Sequence, residues 1–203
     1  MGSDAYLAAV RSRRSYYELE ARSTIPDAKI QEIVEETLRH TPSTFNSQST
    51  RLVLLLGAEH ARLWNDIVKP AVKAIMPAEG WPATEAKLTG FQQSYGTVLL
   101  YEDPKVVSAL QAQYAIFADK FPQWSEHTNA MHAHVLWTAL EQEGLGASLQ
   151  HYNPLIDEGI CKQWKIPEDW QLKAQLVFGK PTGQPLEKTF MPMEERLKVF
   201  GAK

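Results

Sequence analysis

The chain has 203 residues, of which 44% are hydrophobic and 22% are charged, and its formal net charge is -3. This length predicts one domain over residues 1–203 with enough chain for a real core, and the composition excludes a disordered, collagen-like or disulfide-stapled protein. The near-neutral charge argues against nucleic acid as a partner. No apolar run approaches the ~20 residues of a membrane span, and the start lacks a signal-peptide pattern. A cytoplasmic protein is therefore expected.

The first half of the chain alternates helical and strand-like patterns. Helices are predicted over 4–14 and 27–40. The run RLVLLL at 51–56 has the length of a strand and is almost wholly apolar, which is typical of a strand buried on both faces. Helical spacing returns over 59–76, where Pro70 predicts a kink or break because proline has no N–H to donate.

The second half continues this alternation. A second buried strand is predicted at 97–101, and the alternating pattern at 172–178 predicts a third strand. Three further helices are predicted, at 104–114, 123–143 and 154–164. Residues 77–82 have the composition of a turn-rich link.

Helices separate the predicted strands, and no hairpin signal joins any two of them. This favours a mostly parallel or mixed sheet that is covered by helices. The tail from residue 182 has little helical periodicity before Met193 and ends in an apolar segment, 197–200. Two interpretations stay open for it: an arm over 182–203 that docks on a partner subunit, and a surface tail.

Several catalytic and binding motifs are absent from the sequence. It contains no glycine-rich dinucleotide fingerprint, no P-loop and no serine nucleophile elbow. The single cysteine, Cys161, has no partner constellation, so a buried structural thiol is expected. His127, His132 and His134 lack the i, i+4 spacing of a metal-binding helix, which favours structural or surface histidines and no metal.

A basic segment, Arg11-Ser12-Arg13-Arg14-Ser15, lies at the end of the first predicted helix. Guanidinium forks and hydroxyls suit a phosphate or the polar chain of a cofactor. The alternative is a solvated basic helix end, which the helix macrodipole favours.

A polar loop, P-S-T-F-N-S-Q at 42–48, leads into the first predicted strand. Its hydroxyls and amides suit the edges of a planar ring, although a plain surface loop has the same composition. Neither this loop nor the basic segment identifies a ligand by itself.

Five segments, however, occur in a definite order. They are R-R-S, P-S-x-x-N-S-Q, Y-G-T-V-L-L-Y-E-D, G-L-G-A-S-L-Q-H-Y-N-P and F-G-K-P. In this order they resemble the FMN-dependent nitroreductase family, and the short length with Y-G-T-V-L-L-Y-E-D is most similar to its fungal-type subgroup, which also has bacterial members. The resemblance covers nearly the whole chain.

The resemblance implies an α+β fold with a mixed central sheet flanked by helices, assembled as a homodimer. Two FMN sites would lie at the dimer interface, and each would be built from both subunits. A C-terminal arm at 182–203 would be exchanged onto the partner's sheet.

It also implies residues for the FMN phosphate and the ribityl chain or pyrimidine edge. These are Arg13, Arg14 and Ser15, and Lys188 matches a lysine that meets the phosphate. The family pairs that lysine with an arginine two residues on, where this chain has Phe190.

The polar loop would approach the flavin from the other subunit. Ser43, Asn46 and Gln48 would make the contacts, and Pro42 would shape the loop. Lys87 is a candidate for the pyrimidine edge of the flavin.

Leu149, Gln150 and His151 match the segment that passes the flavin near N5, where a backbone N–H usually donates. An acidic residue and a glycine often follow in this segment of the family, where this chain has His151 and Tyr152. Backbone contacts are therefore better supported there than side-chain contacts.

Three aromatic residues are candidates for covering the substrate, namely Phe117, Phe121 and Trp124. Aromatic residues at helical spacing more often belong to a core. Both interpretations stay open.

The implied activity is an NAD(P)H oxidoreductase that reduces nitroaromatics or quinones by ping-pong hydride transfer on FMN, with no catalytic protein residue. One alternative is a non-catalytic flavin-binding or regulatory homodimer. The absence of the family's arginine at position 190, where this chain has Phe190, keeps this alternative open, although Arg196 could take the place of that arginine. A third interpretation is a domain with an unrelated small ligand.

Overall fold

The computed structural model describes residues 2–202, so Met1 and Lys203, the ends of the predicted domain and arm, lie outside it. Its strands are β1 (Leu19–Glu20), β2 (Thr50–Leu56), β3 (Gly96–Glu102), β4 (Gly146–Gln150) and β5 (Gln171–Pro181). The order across the sheet is β2-β3-β5-β4, and β1 pairs with the C-terminal end of β5.

All ladders between these strands are antiparallel, and among the described residues a single parallel bridge joins Ser15 to Ala147. The α+β class is therefore confirmed, whereas the mostly parallel alternative is wrong. A long helical connection can return the chain to either end of a sheet. The absence of a hairpin turn therefore did not determine the direction of the next strand.

The described chain contains nine α-helices. They are α1 (Asp4–Ser12), α2 (Asp27–His40), α3 (Gly57–Arg62), α4 (Lys69–Ile75), α5 (Trp81–Gln92), α6 (Pro104–Gln113), α7 (Phe121–Gln142), α8 (Asp157–Trp164) and α9 (Met193–Arg196). The helices predicted before residue 77 and after residue 103 are confirmed. No helix among residues 2–202 has the length and apolar composition needed to cross a bilayer.

The predicted break at Pro70 takes the form of a change in helical geometry. A π-helical segment, Leu63–Val68, joins α3 to α4. Pro70 cannot donate to the carbonyl of Asp66, and its ring crowds that carbonyl. The helix widens there and continues to Ile75.

Strand β3 carries the core on both of its faces, as its unbroken apolar sequence predicts. Val98 and Leu100 pack with α2 and α7, whereas Leu99 and Tyr101 pack with the helices from α3 to α5 and with α8. Successive side chains of a strand point to opposite faces, so a strand with a helical layer on each side has no polar face.

Strand β2 was expected to be buried on both faces, and this expectation is wrong for the protomer. The side chains at 51–54 are only half-buried. Within the described chain β2 pairs with β3 alone, so it forms an edge of the sheet.

The tail and two helices also leave apolar surface exposed. None of the nine side chains of α1 is buried, and Met131 and Val135 of α7 are exposed despite lying in its apolar stripe. The exposed apolar residues of the tail are Leu186, Phe190, Met191, Met193, Leu197, Val199 and Phe200. Within residues 2–202, no part of the protomer therefore packs over these surfaces.

Candidate functional site

The basic segment and the tail meet in one cleft, which we call the basic cleft. Arg13, Arg14 and Ser15 line a cavity of about 380 Å³ together with Lys188. The other lining residues are Tyr17, Leu186, Glu187 and Thr189. The structure thus brings together four residues that the resemblance implied for the phosphate and the ribityl chain or pyrimidine edge of FMN.

Backbone geometry determines how the basic segment reaches this cleft. Helix α1 ends at Ser12, and Arg13 already has extended backbone angles, with φ -61° and ψ 119°. The chain then runs beside β4, where Ser15 forms its bridge to Ala147 and the Tyr16 N–H donates to the Ala147 carbonyl at 2.9 Å. The R-R-S element therefore lies directly beside the G-A-S-L-Q element.

A carboxylate that the sequence did not single out holds this segment from behind. The backbone N–H of Arg14 lies 2.9 Å from each carboxylate oxygen of Glu141, and Trp137 Nε1 donates to the same group at 3.1 Å. The guanidinium of Arg13 lies over the Trp137 ring, 4.4 Å from its centroid. The contacts of Glu141 therefore fix the Arg14 backbone directly and the Arg13 side chain through Trp137.

The same carboxyl has an unusual proton affinity. Burial raises the pKa of Glu141 to about 7, although the Arg14 N–H, the Trp137 indole and the two arginine charges act in the opposite direction. The W-x-x-x-E spacing on α7 places the two side chains on one helix face, but nothing in the sequence indicates that this face meets Arg14.

The root of the tail is attached to the basic segment. The Arg14 guanidinium donates to the backbone carbonyl of Leu186. This contact places residues 186–189 as one wall of the cleft. A loss of the Arg14 side chain would therefore affect both the charge and the wall.

The polar loop has a constrained backbone. Phe45, Asn46 and Gln48 have positive φ angles of 55°, 53° and 52°. Such left-handed conformations are unfavourable for residues with a Cβ and concentrate at functional sites. The hydroxyl of Ser43 accepts from the Gln48 N–H at 2.9 Å and closes the loop, while Pro42 lies exposed at its start.

Ser43 and Gln48 line a second cavity, of about 270 Å³, with Arg51 and Trp170 among its other walls. This second cleft shares no lining residue with the first. Within one protomer the two sets of predicted flavin contacts are therefore separate.

An aromatic cluster lies beside the polar loop. The three predicted substrate residues pack together, with ring centroids 5.2 Å apart for Phe121 and Trp124 and 6.0 Å apart for Phe117 and Trp124. Two residues that the sequence did not single out join them: Phe45 lies 4.7 Å from Tyr114 and 5.6 Å from Phe121. We call these five residues the aromatic cluster.

Burial within the aromatic cluster is uneven. Phe121 is 1% exposed and belongs to the core, which was one of the two interpretations of the aromatic residues. Phe45 and Phe117, in contrast, are 52% and 42% exposed. The cluster therefore presents exposed aromatic surface on a buried base.

The remaining predicted flavin contacts lie apart from both clefts. Gln150 ends β4 in a buried position, Leu149 is half-buried, and His151 is exposed just beyond the strand. Lys87 lies exposed on α5, with Nζ 5.6 Å from the Phe91 ring centroid, and lines neither cleft.

The histidines and the cysteine have structural surroundings. His132 is buried and its Nδ1 donates to the Thr128 carbonyl at 2.8 Å, whereas His127 is exposed. Cys161 is half-buried, where full burial was expected, and burial raises the pKa of its thiol. Within residues 2–202 no three His, Cys, Asp or Glu side chains are grouped so as to hold a metal ion.

Comparisons with known proteins agree with this fold. The family model described as "Nitroreductase family" matches residues 10–180. Nitroreductase FRM2 of Saccharomyces cerevisiae is 35% identical over 193 residues, which cover 92% of this chain and 93% of FRM2. Nitroreductase CinD from Lactococcus lactis is 43% identical in its complex with chloramphenicol and 44% in its complexes with nicotinic acid and 4-nitrophenol. Its TM-scores are 0.88, 0.89 and 0.88, and each match covers 96% of this chain and 99% of CinD.

Proposed function

The chain belongs to the nitroreductase family, and on that premise we propose that it is an FMN-dependent NAD(P)H oxidoreductase of the cytoplasm that reduces nitroaromatics or quinones. The observation that carries this proposal is the convergence of Arg13, Arg14, Ser15 and Lys188 on one cleft. Three cations and a hydroxyl form a donor set that suits a phosphate monoester.

The donor set fits the phosphate of FMN better than a neutral ligand. Arg13 and Arg14 supply planar guanidinium donors, Lys188 adds a point charge, and Ser15 adds a hydroxyl from the extended segment. Glu187 also lines the cleft and offsets part of this positive charge. A dianionic phosphate therefore balances the remaining charge.

FMN, when bound, would accept a hydride from NAD(P)H and deliver it to a second acceptor in ping-pong order. The protein's part is to bind and orient. The backbone of the 149–151 segment and the polar loop are the proposed contacts along the ring, with Lys87 a weaker candidate. No side chain is assigned a nucleophilic or acid–base role.

The aromatic cluster supports an aromatic acceptor. Its exposed members, Phe45 and Phe117, offer ring faces on which a flat molecule can stack. CinD was solved with chloramphenicol and with 4-nitrophenol, and both compounds carry a nitro group on a benzene ring. We propose that this chain also binds nitroaromatic compounds.

A homodimer with an exchanged arm explains the unpartnered apolar surfaces. In the part of the chain that the structure describes, strand β2 has a free edge and α1 buries no side chain. The tail exposes apolar residues, of which Phe200 is 91% exposed. An exposed strand edge and an apolar tail are features that association covers. A second subunit would also bring its polar loop to this subunit's basic cleft.

The decisive experiment tests cofactor binding before turnover. Protein is purified, stripped of flavin and titrated with FMN, riboflavin and FAD, and NADH- and NADPH-dependent reduction of 4-nitrophenol is then followed. We expect FMN to bind more tightly than riboflavin, because only FMN carries the phosphate. Equal affinity for the two would contradict the assignment of the cleft. Tight FMN binding without turnover would favour the non-catalytic homodimer.

A further inference from the structure

The polar loop, residues 42–48, is strained but well anchored on its C-terminal side. Its three left-handed residues would relax if the chain around them were free. Such a loop keeps its shape only when neighbouring contacts over-determine it. The contacts that do so here come from the end of β3.

Glu102, the last residue of β3, is a buried carboxylate that accepts three side-chain hydrogen bonds. It is 2% exposed, and it accepts from Ser49 Oγ at 2.5 Å and from Thr50 Oγ1 at 2.6 Å. Asn129 Nδ2 of α7 donates to it at 3.0 Å. A buried carboxylate is tolerated because it is satisfied in this way, and two of its three donors are the residues that directly follow the loop.

Asp103 extends the same attachment. Its N–H donates to the Ser49 carbonyl at 2.9 Å, and one of its carboxylate oxygens accepts from the Lys105 N–H at 3.0 Å to cap α6. The other oxygen pairs with Arg51 at 3.0 Å. Arg51 in turn donates to the Gln48 carbonyl at 2.7 Å, inside the loop.

We propose that Glu102, Asp103 and Arg51 form a clamp that positions the polar loop, and with it Phe45, for the aromatic ligands of this protein. The clamp residues are positioning residues, because they act through the loop and not on the ligand. The ligand's identity rests on the proposed function, whereas the hold on the loop does not.

The physical consequence concerns Phe45. Its ring lies on Tyr114 and Phe121 only while its backbone stays at φ 55°. Releasing the loop allows it to relax to right-handed or extended angles, which move the ring off the aromatic cluster. A released loop therefore removes a stacking surface without disturbing the core beneath it.

Two variants release the loop without removing a core group. Arg51→Met keeps the long side chain but loses the pair with Asp103 and the bond to Gln48. Asp103→Asn retains a residue that caps α6 well but loses the ion pair. The matched control is Arg62→Met, which removes a partly exposed pair with Glu59 on α3, outside the clamp. Arg51→Lys is the conservative variant.

The first measurement is amide hydrogen exchange of peptides covering 43–50 in protein without added cofactor. We expect exchange at least about 10-fold faster in Arg51→Met and Asp103→Asn, with β3 peptides unchanged. Arg62→Met should behave as wild type, and Arg51→Lys should recover part of the protection. Wild-type exchange in both clamp variants would overturn the proposal.

The second measurement separates positioning from stability. With FMN at saturating concentration and 4-nitrophenol as acceptor, we expect both variants to raise KM for 4-nitrophenol about 5-fold or more while kcat stays within about twofold, since stacking is shared by ground and transition states. Faster exchange with an unchanged KM would overturn the positioning role. A wild-type protein that neither binds FMN nor turns over would refute the proposed function, and the exchange measurement would still decide whether the clamp exists.

Discussion

The backbone N–H of Arg14 donates to both carboxylate oxygens of Glu141, at 2.9 Å each. This places a partly buried acid directly behind the basic cleft, held by neutral N–H donors. Desolvation is then the largest influence on its proton affinity, ahead of the two arginine charges. The ionisation of Glu141 is thereby coupled to the segment that we assign to the phosphate.

The first prediction concerns stability against pH in Glu141→Gln. The folded-state pKa of Glu141, about 7, lies above the ordinary 4.5 of a glutamate carboxyl. The folded protein therefore binds this proton more tightly, so its contribution to stability is full below about pH 4.5 and is lost as the pH rises through about 7. We compare the free energy of unfolding in urea at intervals from pH 5 to pH 8. Over this range the free energy of unfolding of Glu141→Gln should rise relative to that of wild type by roughly 1 kcal/mol, because partial exposure of the carboxyl reduces the effect.

Glu143→Gln is the control for this series, since it removes a negative charge from the same end of α7 without touching Arg14 or Trp137. A difference between Glu141→Gln and wild type that stays constant from pH 5 to pH 8 would refute the raised pKa. Because Glu141→Gln and wild type keep the same fold, their circular dichroism spectra at pH 7 should be identical.

The second prediction concerns Arg14→Ala. Losing the guanidinium removes a charge-assisted donor from the basic cleft. It also removes the hydrogen bond to the Leu186 carbonyl. Such a bond to a charged group contributes about 1.5–3 kcal/mol, so the Kd for FMN should rise at least about 10-fold. The Kd for riboflavin, measured by the same fluorescence titration, should change by less than about threefold.

Arg11→Ala provides the matched control, because Arg11 is exposed on the last turn of α1 and does not line the cleft. Its FMN affinity should equal that of wild type. Equal losses in both variants would mean that FMN senses only the general charge of this region.

The third prediction concerns Phe45→Ala. Phe45 contacts Tyr114 and Phe121 while keeping 52% of its surface exposed, so its ring is available to a ligand. An aromatic contact contributes about 0.5–1.5 kcal/mol, and KM for 4-nitrophenol should therefore rise about 2- to 10-fold. Ile116→Ala, at an 83% exposed position next to Phe117 in the chain, should leave KM unchanged. A KM that does not respond to Phe45→Ala would place the acceptor elsewhere.

Local patterns predicted the elements whose cause is local. The apolar stripe of α2, the unbroken run of β3 and the Asp103-Pro104 start of α6 depend on residues within one element, and all three are confirmed. Helix α5 was missed because only Leu88 and Phe91 of its residues are buried, so it has almost no apolar periodicity. Strand β4 was missed because Gly146, Ala147 and Ser148 have low strand propensity.

The site shows the same division. The basic segment and the polar loop each have a recognisable composition, so both could be singled out from the sequence. Glu141 could not, because its function depends on a contact with Arg14 across 127 positions of chain. The surroundings of Phe45 arise where the loop contacts α7, and the spacing of residues in the sequence does not predict this contact.

The last prediction concerns the arm. A chain that ends at Thr189 keeps residues 186–189 as the wall of the basic cleft but loses Phe190, Met191 and the apolar end of the tail. If the arm is exchanged onto a second subunit, this truncation should lower the mass in sedimentation equilibrium at about 10 μM from two chains to one. The monomer should also bind FMN more weakly, because the partner's polar loop would no longer reach the cleft. A truncated chain that remains a dimer with wild-type FMN affinity would favour the surface-tail interpretation, since a tail that touches no partner can be removed without effect on either measurement.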